Sequence, residues 1–264
     1  MAEPLRILIT NDDGIDAPGL KIMQQIAAEL TDDWWVLAPK KNQSGAGHRF
    51  SLSQELKLQK RASNIYFMDG TPADCTVIGC TYLLSDRKPD IVLSGVNHGQ
   101  NLGDMIHCSG TMAGAREGVL QGALGIAMSQ AVDMHFKRAN EIEWSTSANY
   151  GAEIVRGLLA ENVGTDTVYN VNFPMAEEGK TPTLRVVPHQ RYSTSPFHYY
   201  PSRRNGKFFV AIPETPQPLH PDHDFHVLHH EHAITITPIT LKQTDDAVAK
   251  RLGERLSLTP RAAQ

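Results

Sequence analysis

The feature of this 264-residue chain that most narrows its fold is a repeated pairing of a short apolar run with an amphipathic segment over the first two-thirds. Leu5 to Thr10, Trp34 to Ala38, Asp90 to Ser94, Gly125 to Ser129 and Val168 to Phe173 read as buried strands, each bounded by Gly, Pro, Asn or Asp. Between Pro18 and Leu30, the residues Leu20, Met23, Ile26, Ala27 and Leu30 recur at helical spacing and give one face to bury against a sheet. The same reasoning predicts helices near Pro72 to Leu84, Thr111 to Gln121 and Ser147 to Glu161. Alternation of this kind builds βαβ units, so the expected class is α/β with a mostly parallel sheet.

Two alternating stretches, Glu55 to Lys60 and Asn64 to Phe67, predict a β-hairpin inserted beside the main sheet. After Pro174 the pattern changes. Prolines, histidines and aromatics crowd Thr181 to His232 and the βα alternation is lost, so residues 175–264 read as a second module appended to a core spanning 1–174. That module ends in a Thr/Ile alternation from Ala233 to Leu241, expected as a strand, and a short amphipathic helix from Asp245 to Leu256.

Several classes are disfavoured. The cysteines Cys75, Cys80 and Cys108 are odd in number and lack paired spacing, which argues against both a disulfide framework and a zinc ribbon. The apolar run after Arg6 is too short for a signal sequence and no later run approaches a membrane span, so a cytoplasmic location without membrane contact is expected. A formal net charge of −4 without a dense Lys/Arg block argues against a large nucleic-acid interface. A small anionic ligand would have to be recognised locally.

In open α/β sheets ligands bind beyond the carboxyl ends of the strands. Three loops in that position are rich in hard oxygen donors: Asn11-Asp12-Asp13-Gly14, Asn42-Gln43-Ser44-Gly45 and Gly95-Val96-Asn97 through Asn101. Two adjacent carboxylates repel each other and are costly to dehydrate unless a cation or donors offset them. A divalent ion resolves that conflict, and carboxylate, amide and hydroxyl oxygens suit Mg²⁺ or Mn²⁺ better than zinc. A lone Asp-Asp-Gly is equally compatible with a turn or with capping of the helix at Pro18; three convergent loops favour the metal. A fourth loop, Ser109-Gly110-Thr111, opens a helix, where hydroxyls and free N–H groups suit a phosphoryl group and would also serve as an ordinary N-cap.

These residues resemble the SurE survival-protein nucleotidases over most of the chain. The matching stretches are Ile7 to Gly14 with Ala17-Pro18-Gly19, Ala38-Pro39 with Asn42 to Gly45, Gly70 to Cys75, Ser94 to Asn97 through Asn101-Leu102-Gly103, Ser109-Gly110-Thr111 with Glu117-Gly118, Asn170 to Pro174, and Thr237-Pro238. The resemblance implies a Rossmann-like three-layer core, metal-dependent 5′/3′-nucleotidase activity on nucleoside monophosphates, and a carboxy-terminal extension used in forming a homodimer or homotetramer. It also implies one divalent ion held by Asp12, Asp13, Ser44 and Asn97. Met105 stands where many relatives have aspartate, Cys108 where they have tyrosine, and His223 where they have threonine before Asp224-Phe225.

In the expected mechanism, the metal fixes the phosphate and polarises a water for in-line attack. Asp12 or Asp13 orients that water, and Ser109, Gly110 and Thr111 stabilise the phosphoryl oxygens. Asn11, Asn42 and Asn101 are further candidates for holding the phosphate or the loops, and His107 and His223 are candidates to protonate the leaving oxygen. Six histidines between His220 and His232 lack the partner set of a zinc site and are expected as a partly exposed polar face. Gly45-Ala46-Gly47 lacks the last glycine of a dinucleotide fingerprint. An aspartyl-phosphate enzyme would need its second Asp two residues after the first, where Gly14 stands. A nucleotide sensor without turnover remains open at this level.

Overall fold

The computed structural model describes residues 3–132, 142–161, 166–193, 197–211 and 218–257. Strand β1 (Ile7–Thr10) is a run of apolar and β-branched residues buried on both faces, as a central parallel strand requires. The chain continues through α1 (Pro18–Ala28) to β2 (Trp34–Pro39), β3 (Leu58–Ala62), β4 (Ile65–Met68) and α2 (Pro72–Ile78), which runs into a π-helical turn at Gly79–Leu83. Next come β5 (Ile91–His98), a 3₁₀ turn at Gly103–His107, α3 (Gly110–Leu120), β6 (Leu124–Gln130), α4 (Ser145–Ala160) and β7 (Thr167–Phe173). The last part contains β8 (Leu184–Val186), β9 (His198–Pro201), β10 (Phe208–Ala211), α5 (Asp224–His230), β11 (Ile234–Thr240) and α6 (Asp246–Arg255).

The main sheet has nine strands in the order β3-β4-β2-β1-β5-β6-β7-β11-β8. Strands β4 through β7 of that order are parallel, whereas β3 and β11 run antiparallel to their neighbours β4 and β7. The expected α/β class with a mostly parallel sheet is therefore observed. One face is covered by α1 and α4, whose Leu20, Met23, Ile26 and Val155 pack with Ile7, Ile9, Leu93 and Phe173. On the other face Cys75 of α2 packs with Leu8 and Val92, and Met112 and Val119 of α3 pack with Ala127 and Val168.

The structure corrects two local expectations. The hairpin β3–β4 is an edge of the main sheet, because β4 pairs in parallel with β2 from Val36↔Ile65 to Pro39↔Met68. Strand β5 runs to His98 rather than stopping at Ser94, with an irregularity between Ser94 and Asn97 that shifts its register against β6. The histidine-rich segment, expected as a partly exposed polar face, leaves its six histidines exposed or half-buried around α5, with rings paired: the His226 and His230 ring centres lie 4.7 Å apart, as do those of His220 and His223 just before the helix.

Chain order reverses between β1 and β5. From β1 the chain moves outward to β2 on one side, and it returns to lay β5 on the other. A crevice opens at such a switch point, outside the carboxyl ends of the two strands. Among the described residues no helix is long and apolar enough to cross a membrane.

Candidate active site

Immediately after β1 the chain turns through Asn11-Asp12-Asp13-Gly14. Asn11 is fully buried, and both ends of its amide go to Gly14: Nδ2 donates to the Gly14 carbonyl at 2.9 Å and the Gly14 N–H donates to Oδ1 at 3.2 Å. Gly14 sits at φ +101°, a conformation that disfavours side chains. Asn11, a candidate for holding the phosphate or the loops, shapes the turn that presents the two aspartates.

The acidic pair reaches every other loop of the site. Asp12 is 4% exposed; its Oδ1 accepts the Thr111 hydroxyl at 2.7 Å, and its main-chain carbonyl accepts the Gln43 N–H at 2.6 Å. Asp13 Oδ2 accepts the His98 N–H at 2.9 Å, and its Oδ1 accepts Asn42 Nδ2 at 3.4 Å. The loop after β2, the end of β5 and the start of α3 are thus all tied to residues 12 and 13. Gly110 allows the approach of α3, since a Cβ there would lie 2.7 Å from the Asp12 Cβ and 2.9 Å from its Oδ2.

Burial, and then the charge of Asp13, push the Asp12 carboxyl up to about 6, against the opposing hydrogen bonds from Thr111. Burial also raises Asp13, against the His98 N–H. Among the described residues no lysine or arginine forms an ion pair with either aspartate. This is a carboxylate pair whose charge the protein leaves largely uncompensated, and a hard divalent cation fits it.

Ser44 is exposed, and its N–H is fixed at 2.8 Å by Asn42 Oδ1, so Asn42 connects Asp13 to the Ser44 turn. Asn97, at the end of β5, donates Nδ2 to the Gly99 carbonyl at 2.7 Å, which leaves Oδ1 as its remaining acceptor. Ser109 caps α3 by accepting the Met112 N–H at 3.0 Å. Thr111, expected to contact phosphate, directs its hydroxyl to Asp12. Asn101 sits over the ends of β6 and β7, donating Nδ2 to Ser129 Oγ at 2.9 Å, and so holds its loop. His107 is exposed, and the His223 ring packs on His220.

Sequence reasoning gave no role to two contacts that frame this site. Fully buried Asp224 accepts the Gly103 N–H at 2.9 Å and the Gln190 N–H at 2.7 Å, pinning the 3₁₀ turn to the carboxy-terminal part. His48 Nε2 lies 3.0 Å from Glu117 Oε2 and fastens the segment after Ser44 to α3. The His223-Asp224-Phe225 and Glu117-Gly118 matches were the available signals for these residues.

A family model described as "Survival protein SurE" matches residues 7–195. The chain is 39% identical over 256 residues to "5'-nucleotidase SurE" of Methylobacterium nodulans, covering 95% of this chain and 99% of that protein. It is 38% identical over 253 residues to "5'-nucleotidase SurE" of Azorhizobium caulinodans, covering 95% and 98%. The crystal structure of the SurE protein from Aquifex aeolicus matches with a TM-score of 0.80 at 31% identity, over 94% of this chain and 98% of that one. Sequence and fold agree over nearly the whole length: the chain belongs to the SurE family.

Proposed function

We propose that this chain is a 5′-nucleotidase, a phosphoric monoester hydrolase acting on nucleoside 5′-monophosphates and also on 3′-monophosphates. In this reading one divalent ion, Mg²⁺ or Mn²⁺, is held by Asp12, Asp13, Ser44 and Asn97. The observation that carries the proposal is the acidic pair of buried Asp12 and partly buried Asp13, largely uncompensated, at the meeting point of four loops, in a chain whose curated relatives are named 5′-nucleotidases. When bound, such an ion supplies Lewis-acid polarisation of a phosphoryl oxygen and acidifies water.

The chain's own residues supply placement. Thr111 holds the Asp12 carboxylate in one orientation, and Asp12 or Asp13 orients the water that attacks phosphorus as the bond to the ribose oxygen breaks. The Ser109 hydroxyl and the Gly110 N–H, at the start of α3, are the phosphoryl contacts, favoured by the partial positive charge of a helix N-terminus. A phosphate dianion placed beside two carboxylates without a cation would be repelled, so substrate and metal binding are coupled.

Phosphate release from 5′- and 3′-AMP, GMP and CMP, measured with Mg²⁺, Mn²⁺ or EDTA, tests the reading. Metal-dependent release that EDTA abolishes is expected, and no release from any nucleotide with either metal would overturn it. Ser109→Ala is expected to raise KM several-fold and to lower stability by about 1 kcal/mol through loss of the cap. Unchanged KM and kcat across the nucleotides would remove Ser109 from the site.

We also infer that residues 175–264 serve assembly into a homodimer or homotetramer, and that the enzyme works in the cytoplasm. Strands β9 and β10 form a two-stranded sheet of their own, with Tyr199, Tyr200, Phe208 and Phe209 between 51% and 69% exposed. Helix α6 buries none of its residues. A two-stranded ribbon is marginal alone, and clustered exposed aromatics mark an interaction surface.

A further inference from the structure

The α3-facing side of β6, β7 and β11 contains a polar seam. Side chains alternate along strands, so Ala127 and Ser129 of β6, Val168, Asn170 and Asn172 of β7, and Thr235, Thr237 and Ile239 of β11 share this face. Register places Ser129 beside Asn172, and Asn172 and Asn170 beside Thr235 and Thr237. One layer further from the carboxyl ends than Asn170 and Thr237, the face is apolar: Val168 and Ile239 pack with Met112 and Val119. Toward the carboxyl ends, Ser129, Asn170, Asn172, Thr235 and Thr237 are each no more than 1% exposed.

Burying polar side chains where an apolar layer would pack is unfavourable unless their hydrogen bonds specify something. Here most of those bonds converge on one residue, Asn101. Its N–H donates to Asn172 Oδ1 at 2.8 Å, and its carbonyl accepts Asn170 Nδ2 at 2.8 Å and Asn172 Nδ2 at 3.1 Å. Its own Nδ2 donates to Ser129 Oγ at 2.9 Å. The backbone of a loop that would otherwise face solvent is thereby gripped through both its donor and its acceptor. By contrast, Asn170 Oδ1 and the Thr235 and Thr237 hydroxyls have no hydrogen-bond partner among the described residues, so stability alone does not account for the seam.

The gripped loop leads back to the site. The Gly99 N–H donates to the Gln130 carbonyl at 3.0 Å, the Gly99 carbonyl accepts Asn97 Nδ2 at 2.7 Å, and the His98 N–H donates to Asp13 at 2.9 Å. A displacement of Asn101 therefore passes through Gly99 to Asn97 and Asp13. We infer that Asn170, Asn172 and Ser129, acting through Asn101, are positioning residues that set where Asn97 and Asp13 stand in the nucleotidase site. This rests on the functional reading above and adds to it a role for β7, which contributes no proposed metal ligand.

The test uses the full chain and Asn172→Leu, which removes both the acceptor and the donor while keeping the branched shape of the side chain. Hydrogen exchange of the metal-free proteins is expected to speed up at least tenfold across residues 99–103, with β1 and α1 protected as in the parent. Mn²⁺ affinity by calorimetry is expected to weaken about 10- to 100-fold, as for other groups that orient metal ligands. At saturating Mn²⁺, kcat for AMP falls about tenfold or more while KM moves less than about twofold. Ser129→Ala should show the same exchange and affinity changes at smaller size, and it decides the matter should Asn172→Leu not fold. Thr237→Val, in the part of the seam that makes no bond to the loop, should leave loop exchange and Mn²⁺ affinity at parent values. A folded Asn172→Leu with parent-like loop exchange, Mn²⁺ affinity and kcat would overturn the positioning role. A parent chain that neither binds Mn²⁺ nor releases phosphate would instead overturn the functional reading.

Discussion

Asp12→Asn is expected to lower metal-dependent phosphate release by about two to three orders of magnitude and, in the same protein stripped of metal, to raise the melting temperature. The two effects share one cause. Asp12 is buried beside Asp13 and its carboxyl is raised to about 6, so at neutral pH the metal-free chain holds a charge that its surroundings disfavour. Asparagine keeps an oxygen to accept the Thr111 hydroxyl while removing that charge. Relief of a shift of this size corresponds to about 1 to 3 kcal/mol, or several degrees in Tm for a chain of this length.

The pH dependence has a definite sign. A carboxyl whose folded pKa lies above its unfolded value binds more protons when folded, so its stabilising contribution is complete below about pH 4 and is lost as pH rises through about 6. The Tm advantage of Asp12→Asn over the parent, both in EDTA, should therefore grow between pH 4 and pH 7. Adding Mn²⁺ should raise the Tm of the parent and leave that of Asp12→Asn nearly unchanged. A variant with full metal-dependent activity, or a metal-free variant less stable than the parent at pH 7, would contradict this account of the acidic pair.

What the sequence made legible here follows the range of the interactions involved. The alternation of Ile7 to Thr10 with the Leu20, Met23 and Ile26 face is local, and it identified the βα architecture and the strand ends where the loops gather. Pairing between distant strands is not local. Nothing in Ile65 to Met68 specifies β2 as its neighbour, and the alternation in β11 is the same whether it pairs with β7 or with a separate sheet. Side-chain amides were ambiguous for a related reason: an asparagine beside a carboxylate loop looks the same in sequence whether it meets a ligand or the backbone. Asn11 and Asn101 both make backbone bonds that only the folded chain displays. Thr111 reads as part of an anion site, and the anion it holds in the structure is the Asp12 carboxylate.

Truncation after Pro174 is expected to abolish cooperative folding rather than release a stable core. The six-residue pairing of β11 with β7, from Thr235↔Asn172 to Thr240↔Thr167, places the late strand inside the main sheet. Its loss would expose the edge of β7 and remove the buried side chains of Val227, Leu228, Ile234 and Ile236. At about 1.5 to 3 kcal/mol for each large apolar side chain, that burial is comparable to the whole stability of an ordinary domain, about 5 to 15 kcal/mol. Truncation also removes the Asp224 bonds that hold Gly103. The assembly role needs a gentler change, and Phe208→Ser with Phe209→Ser supplies it, because both side chains are about two-thirds exposed on the separate β9–β10 ribbon. Light scattering should find the parent as a dimer or tetramer and the doubly substituted chain shifted toward monomer, with its melting transition retained. A truncated chain that melts cooperatively would show that residues 1–174 fold alone, and a parent that is monomeric across a wide concentration range would refute the assembly role of the extension.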